Sequence, residues 1–197
     1  MISRQKRPIS AARTLQWSAH MKSQDPTTLL KKDHAKVKKL FEAFEESGDR
    51  ALKLRTSLYE QIREELTIHA TIEEEIFYPA VNAARSKDAK KMVAEANEEH
   101  ALVKQLLAEL GDLEAGDIQF SAKMKVMKDL VLHHAKEEEK EMFKEAKEDL
   151  SEVQLDELGA RMAARKEALM NGGLPAEKPT DMAAMDRPNG RINKEAN

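Results

Sequence analysis

The sequence has no cysteine, only seven glycines and six prolines among its 197 residues, and 4% aromatic residues. Without cysteine there is no disulfide framework, no thiolate metal site and no thiol nucleophile, so any chemistry must use imidazoles, carboxylates or hydroxyl groups. Strand-rich folds need many turns and many β-branched and aromatic residues, which this composition does not supply. The apolar runs are only a few residues long, which argues against a membrane-spanning segment.

Charged residues make up 35% of the chain, and their distribution suggests how it is organised. Residues 1–22 carry five bases and no acid, residues 171–197 are balanced, and the part between them has a net charge of −8. Three of the six prolines and three of the seven glycines follow residue 170, which is typical of a disordered tail. We therefore predict a basic, flexible extension over 1–24, a folded body over 25–150, an accessory helix over 151–170 and a disordered tail over 171–197.

Two interpretations of the basic start are open. An arginine- and serine-rich segment without acids is typical of an organellar transit peptide, whereas Met21 stands just before a helix start and could begin translation. We favour the second interpretation, in which the first 20 residues are an over-extended start or a loose extension. The segment has no apolar core of a secretory signal, and we expect a cytoplasmic protein.

The body divides into helices at recognisable starts and stops. The first pattern of apolar residues at helical spacing begins after Asp25, and the second should kink or end at Pro79. The third closes at Gly111, the fourth follows Asp117, and a weaker fifth begins at Ser151. Four long amphipathic helices with short connections predict an all-α fold, an up-down-up-down four-helix bundle with an additional C-terminal helix alongside it.

Each of the first four helices carries a histidine on its apolar stripe. Consecutive members are 35, 31 and 34 residues apart, and each midpoint falls in or beside a predicted turn. Residues on consecutive antiparallel helices lie at one level when the turn is midway between them, so the four imidazoles should share one layer of the bundle. These histidines are His34, His69, His100 and His134.

Two of the histidines begin HxxxE units. Glu73 follows His69 and Glu138 follows His134 at i+4, a spacing that puts the imidazole and the carboxylate on one face of a helix. Both units run into an acidic cluster and then a phenylalanine. The predicted layer therefore contains four imidazoles and two carboxylates.

An ordinary protein core without metal is the alternative interpretation of this layer. A single histidine on an apolar face is more often held by a hydrogen bond than by a metal. Six such groups together are different, because each buried charge costs several kcal/mol unless a cation binds the deprotonated ligands. Six donors exceed what one tetrahedral zinc takes, and mixed imidazole and carboxylate donors suit iron, with two ions sharing the carboxylates as bridges. The predicted metal ligands are His34, His69, Glu73, His100, His134 and Glu138.

The order H…HxxxE…H…HxxxE resembles the hemerythrin-like HHE cation-binding domain over about residues 27–146. The resemblance rests on the strings LLKKDH, HATIEEEIFYP and HHAKEEEKEMF, which contain His34, His69 and His134. It implies a non-haem di-iron centre inside a four-helix bundle, with two iron ions joined by oxo or hydroxo bridges and by the two glutamates. It also implies the same six ligands, and dioxygen or a related small oxidant as partner.

The chain departs from hemerythrin proper at two positions. Where that protein has a further histidine on the third helix this chain has Lys104, and where it has an aspartate after its last-helix histidine this chain has Glu139. Glu138 instead lies at the spacing typical of the HHE branch. One imidazole fewer implies a more open coordination sphere, which argues against reversible oxygen carriage.

Three neighbouring groups receive subsidiary assignments. We choose His134 over His133 as the ligand because His134 lies on the same helix face as Glu138. His133 could instead support a ligand from outside or act as an alternative ligand. Glu65, one turn before His69, is a candidate for an extra carboxylate. The runs 73–75 and 137–139 are otherwise interpreted as solvated faces with one inward member each.

Three functional hypotheses follow. The leading one is a binding or sensing protein whose di-iron site binds oxygen, or stores or reports iron. The second is a di-iron enzyme that decomposes peroxide or activates oxygen, and the third is a metal-free helical interaction scaffold. The sequence contains no HExxH, phosphate-binding glycine loop or G-x-S-x-G motif, and an acidic body argues against nucleic-acid binding.

Overall fold

A computed structural model describes residues 25–83 and 86–172 of the chain. The extension predicted over 1–24 and residues 173–197 of the tail predicted over 171–197 lie outside the described residues, while residues 171 and 172 belong to the last described helix. Within the described ranges the chain is helical apart from short connections and forms no strand, which confirms the all-α class. Nor is any helix of that part long and apolar enough to cross a membrane.

Seven α-helices and two π-helical turns make up the described chain. The first π turn (Glu73–Phe77) joins α2 to α3, and the second (Glu138–Met142) joins α5 to α6 without a break in the helix. The α-helices are α1 (Pro26–Glu46), α2 (Leu52–Ile72), α3 (Tyr78–Ala83), α4 (Lys87–Gly111), α5 (Ile118–Glu137), α6 (Phe143–Asp149) and α7 (Glu152–Gly172).

Local side chains fix where the helices begin. The Asp25 carboxylate accepts a hydrogen bond of 2.8 Å from the backbone N–H of Thr27, and Pro26 occupies the first turn of α1, where no intrahelical N–H is needed. The Ser86 hydroxyl accepts a bond of 3.2 Å from the backbone N–H of Ala89 at the start of α4. These caps satisfy donors that a helix start otherwise leaves unpaired.

The turn after α1 depends on Gly48. Its φ of 64° lies in the left-handed region. This conformation is unfavourable for residues that have a Cβ atom but not for glycine. We expect Gly48→Ala to lower the free energy of unfolding by about 1 to 2 kcal/mol, measured by urea denaturation. Gly172→Ala is the matched control, because no atom lies within 4 Å of a Cβ at that position. An equal loss in both variants would contradict the backbone explanation.

The helix that was expected to kink or end at Pro79 continues to Ala83. Proline normally clashes with the carbonyl four residues earlier. Here the π turn widens the helix immediately before the proline, closed by a hydrogen bond from the Tyr78 N–H to the Glu73 carbonyl. The wider turn accommodates the ring, so the proline does not terminate the helix.

Side-chain contacts tie the helices together at both ends. At one end the buried Arg55 guanidinium of α2 donates a hydrogen bond of 3.0 Å to the Ala115 carbonyl and one of 2.6 Å to the Ser121 hydroxyl of α5. At the other end Lys147 of α6 pairs with Asp25 at 2.8 Å. Helix α7 packs against α1 and α2.

The apolar core is divided into two clusters by a polar layer. On α1, on α4 and along the continuous helix from α5 into the second π turn, the histidine separates residues of one cluster from residues of the other. The cluster near α7 includes Leu30, Ile72, Phe77, Val93 and Met162, and the other includes Phe41, Ile62, Leu107, Phe120 and Met127. The polar layer is therefore enclosed above and below by packed hydrocarbon, where electrostatic interactions are strong.

Candidate metal centre

The four histidines converge as two pairs. The Nε2 atoms of His34 and His69 are 3.1 Å apart, and those of His100 and His134 are 3.2 Å apart. All four residues are between 5% and 9% exposed. The turn midpoints of the sequence thus predicted a layer that the structure contains.

Glu73 lies between the two pairs and is completely buried. Its Oε1 is 3.2 Å from Nε2 of His69, and its Oε2 is 3.4 Å from Nε2 of His100. One carboxylate therefore reaches an imidazole of each pair.

Glu138 has the same relation to the remaining two imidazoles. Its Oε2 is 3.3 Å from Nε2 of His34 and 3.6 Å from Nε2 of His134. The six predicted ligands consequently form two overlapping donor groups that share Glu73, and within each group the candidate ligand atoms lie within 4.8 Å of one another.

Two carboxylate oxygens of the layer are buried without a hydrogen-bond partner among the described residues. They are Oε1 of Glu73 and Oε2 of Glu138. A buried acceptor without a partner is rare in folded proteins, because its lost hydration is not replaced. A cation bound between the carboxylates would satisfy both oxygens, so the donor set fits a metal.

The charges of the two carboxylates are strongly coupled. Burial raises the pKa of Glu73 well above its ordinary range, and the negative charge of Glu138 raises it further. Burial acts in the same direction on Glu138, but the neighbouring imidazoles, His34 first among them, lower its pKa to about 2. Two carboxylates this close do not both ionise unless positive charge compensates them.

The imidazoles are largely held in the form that binds metals. Burial lowers the pKa of His69 to about 4 and also lowers the pKa of His100. Both side chains are therefore neutral near neutral pH, as metal ligation requires. For His134 the effect of burial is outweighed by its hydrogen bond to Glu99, which raises the pKa.

Two acids from the glutamate runs hold histidines from outside. Glu74 accepts a hydrogen bond of 2.9 Å from Nδ1 of His100, and Glu139 accepts one of 2.9 Å from Nδ1 of His34. Lys104, which stands where hemerythrin has a further histidine, donates to both oxygens of Glu74 at 2.6 and 2.7 Å. Each run has one buried member, Glu73 or Glu138, as the sequence predicted, but Glu74 and Glu139 contact the histidines from the less buried side.

The other two histidines also face an acid. Glu99 accepts a hydrogen bond of 2.7 Å from Nδ1 of His134. An oxygen of Asp33 lies 3.7 Å from Nδ1 of His69. Asp33 is buried, and Lys166 of α7 forms an ion pair with it. The hydrogen bond from His134 to Glu99 fixes the orientation of that ring and leaves its inner nitrogen for a metal, whereas the separation at His69 is too long for a hydrogen bond.

A sequence signal for these outer acids exists, although the sequence argument did not use it. In each half of the chain one acid directly precedes the first histidine, and one directly follows the inward glutamate. These acids are Asp33 and Glu99, and Glu74 and Glu139.

Tyr78 is a further side chain of the polar layer that sequence reasoning missed. It is 1% exposed, and its hydroxyl donates a hydrogen bond of 2.9 Å to Oε1 of Glu138 and lies 3.3 Å from Nε2 of His100. Burial and the nearby carboxylates raise its pKa, so the phenol keeps its proton. Tyr78 enters the layer because the π turn bonds its N–H to the carbonyl of Glu73, five residues earlier instead of four. Such turns are frequent at functional sites.

Two subsidiary candidates lie outside the layer. The His133 side chain is 59% exposed, with Nε2 3.3 Å from Oε1 of Glu137. Glu65 pairs with Lys36 and belongs to neither donor group of the layer. Of the doublet, the structure brings only His134 into the buried layer.

Of two surface cavities described for this part of the chain, the larger is not at the polar layer. It measures about 270 Å³ and lies near Arg55 and Ser121, at the end where those residues join α2 to α5. The smaller measures about 100 Å³ and is lined in part by His134 and Glu138. The smaller cavity is therefore the one that communicates with the candidate ligands.

The support of His100 can be tested with consecutive glutamates. Glu74→Ala removes the acceptor of His100 Nδ1, and we expect metal affinity to fall about 10- to 100-fold, the usual cost of losing such a partner. The measurement is competition with a chelator of known affinity. Glu75→Ala is the matched control, because Glu75 pairs only with Arg165 on α7 among the contacts described. Equal affinities for the two variants would contradict the role of Glu74.

Comparison with known proteins identifies the class. Residues 25–146 match the family model described as the hemerythrin HHE cation binding domain. The chain belongs to this family, which confirms the resemblance drawn from the HxxxE units. Together with the two donor groups, family membership supports binding of a metal cation.

Individual relatives share a third or less of their aligned residues with this chain. A protein of Nostoc sp. described as a DNA nickase is 29% identical over 138 residues, which are 70% of this chain and 38% of that protein. An uncharacterized protein of Mycobacterium tuberculosis, Rv2633c, is 31% identical over 121 residues, which are 61% of this chain and 72% of the relative. This chain thus spans well under half of the length of the Nostoc protein.

A solved structure shows the same fold. It is the crystal structure of a hemerythrin HHE cation binding domain-containing protein from Mycobacterium kansasii, a homolog of Rv2633c. The match has a TM-score of 0.66 and 29% identity, and covers 76% of this chain and 89% of that one. The described chain therefore has a hemerythrin-like fold.

Proposed function

We propose that this chain is a non-haem di-iron protein of the hemerythrin-like type, which binds or senses dioxygen or iron. Its body, residues 25–150, would be an up-down-up-down four-helix bundle of α1, α2, α4 and α5, with α7 as an additional C-terminal helix. The convergence of one histidine from each of the four helices supports this arrangement. We further propose that the protein is cytoplasmic.

The observation that carries the proposal is the position of the two buried carboxylates. Glu73 and Glu138 each approach one imidazole from both pairs, and each has an oxygen without a hydrogen-bond partner in the described chain. Two overlapping donor groups favour two ions, and imidazole with carboxylate favours iron. The proposed ligands are His34, His69, Glu73, His100, His134 and Glu138.

Iron in this layer would supply a redox-active Lewis acid for dioxygen or a related small oxidant. The chain's own residues would hold and insulate it. The outer carboxylates keep the imidazoles in position, as Glu74 does for His100. The apolar clusters on both sides limit access of water to the layer.

A di-iron enzyme that decomposes peroxide or activates oxygen is the second candidate. It is favoured by Tyr78, whose protonated hydroxyl lies 2.9 Å from Glu138 within the donor layer. A proton donor at that distance is within reach for general acid chemistry. Lys104 in place of a histidine also leaves one imidazole fewer than in hemerythrin proper.

Two other functions receive less support. A metal-free scaffold would bury two carboxylates and four imidazoles without compensation, which is costly. The nicking activity named for the Nostoc relative is not part of this proposal, because the match spans 38% of that protein. The acidic body leads us to expect no nucleic-acid partner.

Iron content and oxygen response test the proposal. The full chain is reconstituted anaerobically with ferrous iron and analysed for metal, and we expect close to two iron atoms per chain. A chain that retains no iron would show the proposal to be wrong. If the spectrum of the reduced, iron-loaded protein does not change in oxygen, oxygen binding is excluded as the function. Peroxide consumption that is lost in Tyr78→Phe would favour the enzyme.

A further inference from the structure

A second group of possible metal donors lies outside the buried layer. Glu99, His133 and Glu137 offer ligand atoms within 4.8 Å of one another at the surface between α4 and α5. The Nε2 atom of His133 is 3.3 Å from Oε1 of Glu137. An imidazole with two carboxylates is a donor set suited to a divalent transition-metal ion. We call this group the outer site.

The outer site adjoins the smaller cavity. Glu99 and Glu137 belong to both, and the cavity continues from them to the buried His134 and Glu138. Its volume of about 100 Å³ admits a few water molecules or a partly hydrated cation. The outer site and the buried layer are therefore joined by one cavity.

The wall of this cavity is strongly acidic. Glu95 and Glu141 also line it, no lysine or arginine is among its lining residues, and the remaining wall is apolar. Lys140 pairs with Glu141 at 2.7 Å from outside the lining. Carboxylates concentrated in a narrow cleft raise the local concentration of cations.

The inner end of the cavity presents an unsatisfied acceptor. Glu138 is 2% exposed, and its Oε2 is one of the buried oxygens without a hydrogen-bond partner among the described residues. Glu99 links the two ends, because it belongs to the outer site and also accepts the hydrogen bond from Nδ1 of His134. The path thus runs from exposed donors to a buried carboxylate, with donors at each stage.

We propose that this cavity is the route by which ferrous iron reaches the buried layer, and that Glu99, His133 and Glu137 bind the ion first. This inference rests on the proposed function of the buried layer. The outer site binds weakly, because His133 and Glu137 are largely solvated, and it passes the ion inward. It gives His133 a role that the buried layer does not.

The test compares the rate of iron uptake with the final iron content. Two route variants are made, Glu95→Gln/Glu141→Gln and His133→Gln/Glu137→Gln, all at exposed positions. The control is Glu64→Gln/Glu98→Gln, which removes two exposed charges that line no part of the cavity. Glu99 is not changed, because its loss would also release His134. Metal-free full-length protein is mixed anaerobically with ferrous iron, quenched with a chelator at successive times, and analysed.

We expect both route variants to load about three- to tenfold more slowly than wild type at low ionic strength, while the control loads at the wild-type rate. The final iron content should be equal in all four proteins. The difference between wild type and Glu95→Gln/Glu141→Gln should shrink as salt is added, because exposed charges are screened.

The outcomes separate this inference from the proposed function. A wild-type chain that takes up no iron would overturn both. A wild type that loads normally, with either route variant loading as fast as the control, would overturn only the route. Slower uptake with a lower final iron content would also contradict the proposed route, because the substituted residues would then belong to the binding layer itself.

Discussion

Glu73→Gln is expected to abolish tight metal binding and at the same time to stabilise the metal-free protein. Glutamine keeps the shape of a completely buried side chain but removes a carboxylate that approaches imidazoles of both pairs. Loss of a direct ligand should lower metal affinity by more than the about 100-fold that loss of an outer partner costs. Elemental analysis and chelator competition measure this effect.

The stability effect has the opposite sign and depends on pH. The pKa of Glu73 is raised in the folded chain, so its ionisation opposes folding as pH rises above the ordinary carboxyl value of 4.5. Glutamine does not ionise, and the variant should therefore gain about 1 to 3 kcal/mol on the alkaline side and nothing on the acid side. Urea unfolding of chelator-treated proteins at several pH values tests this. A variant that is destabilised at every pH would contradict the account.

His134→Asn is expected to lose most of its bound metal, whereas His133→Asn is expected to retain it. The two residues are adjacent in sequence, but the first is 6% exposed and faces Glu138, while the second lies at the surface. Removing the buried imidazole should cost more than about 100-fold in affinity. Iron content at equilibrium is the measurement, with circular dichroism to show that both variants fold. Greater loss from His133→Asn would reverse the assignment.

The positions of the buried histidines were predictable because they follow from helical periodicity and the midpoints of the turns. Each histidine occupies an apolar stripe, and packing of that stripe places the side chain in the layer. The capped start of α1 at Asp25 followed from local chemistry in the same way. Such features depend on residues that are close in sequence.

The features that escaped prediction depend on changes of helical phase and on docking. Tyr78 enters the layer only because a π turn precedes it, and α-helical spacing does not anticipate that turn. The contact of Lys166 with Asp33 depends on how α7 lies against α1, and the sequence contains no periodic signal for that docking. The helix was predicted to kink or end at Pro79, and its continuation to Ala83 likewise depends on the π turn.

Hydrogen bonds between the two halves of the described chain limit how small a protein with such a centre can be. The first helical hairpin is α1 and α2 with the first π turn, and the second is α4 and α5 with the second π turn. Glu74 of the first hairpin accepts a hydrogen bond from His100 of the second, and Glu139 of the second accepts one from His34 of the first. Each hairpin thus donates one acceptor to the other and lacks one of its own. A single hairpin of this design would be incomplete, but two identical copies related by a twofold axis would supply each other's missing acceptor. This chain contains that reciprocal exchange within one polypeptide.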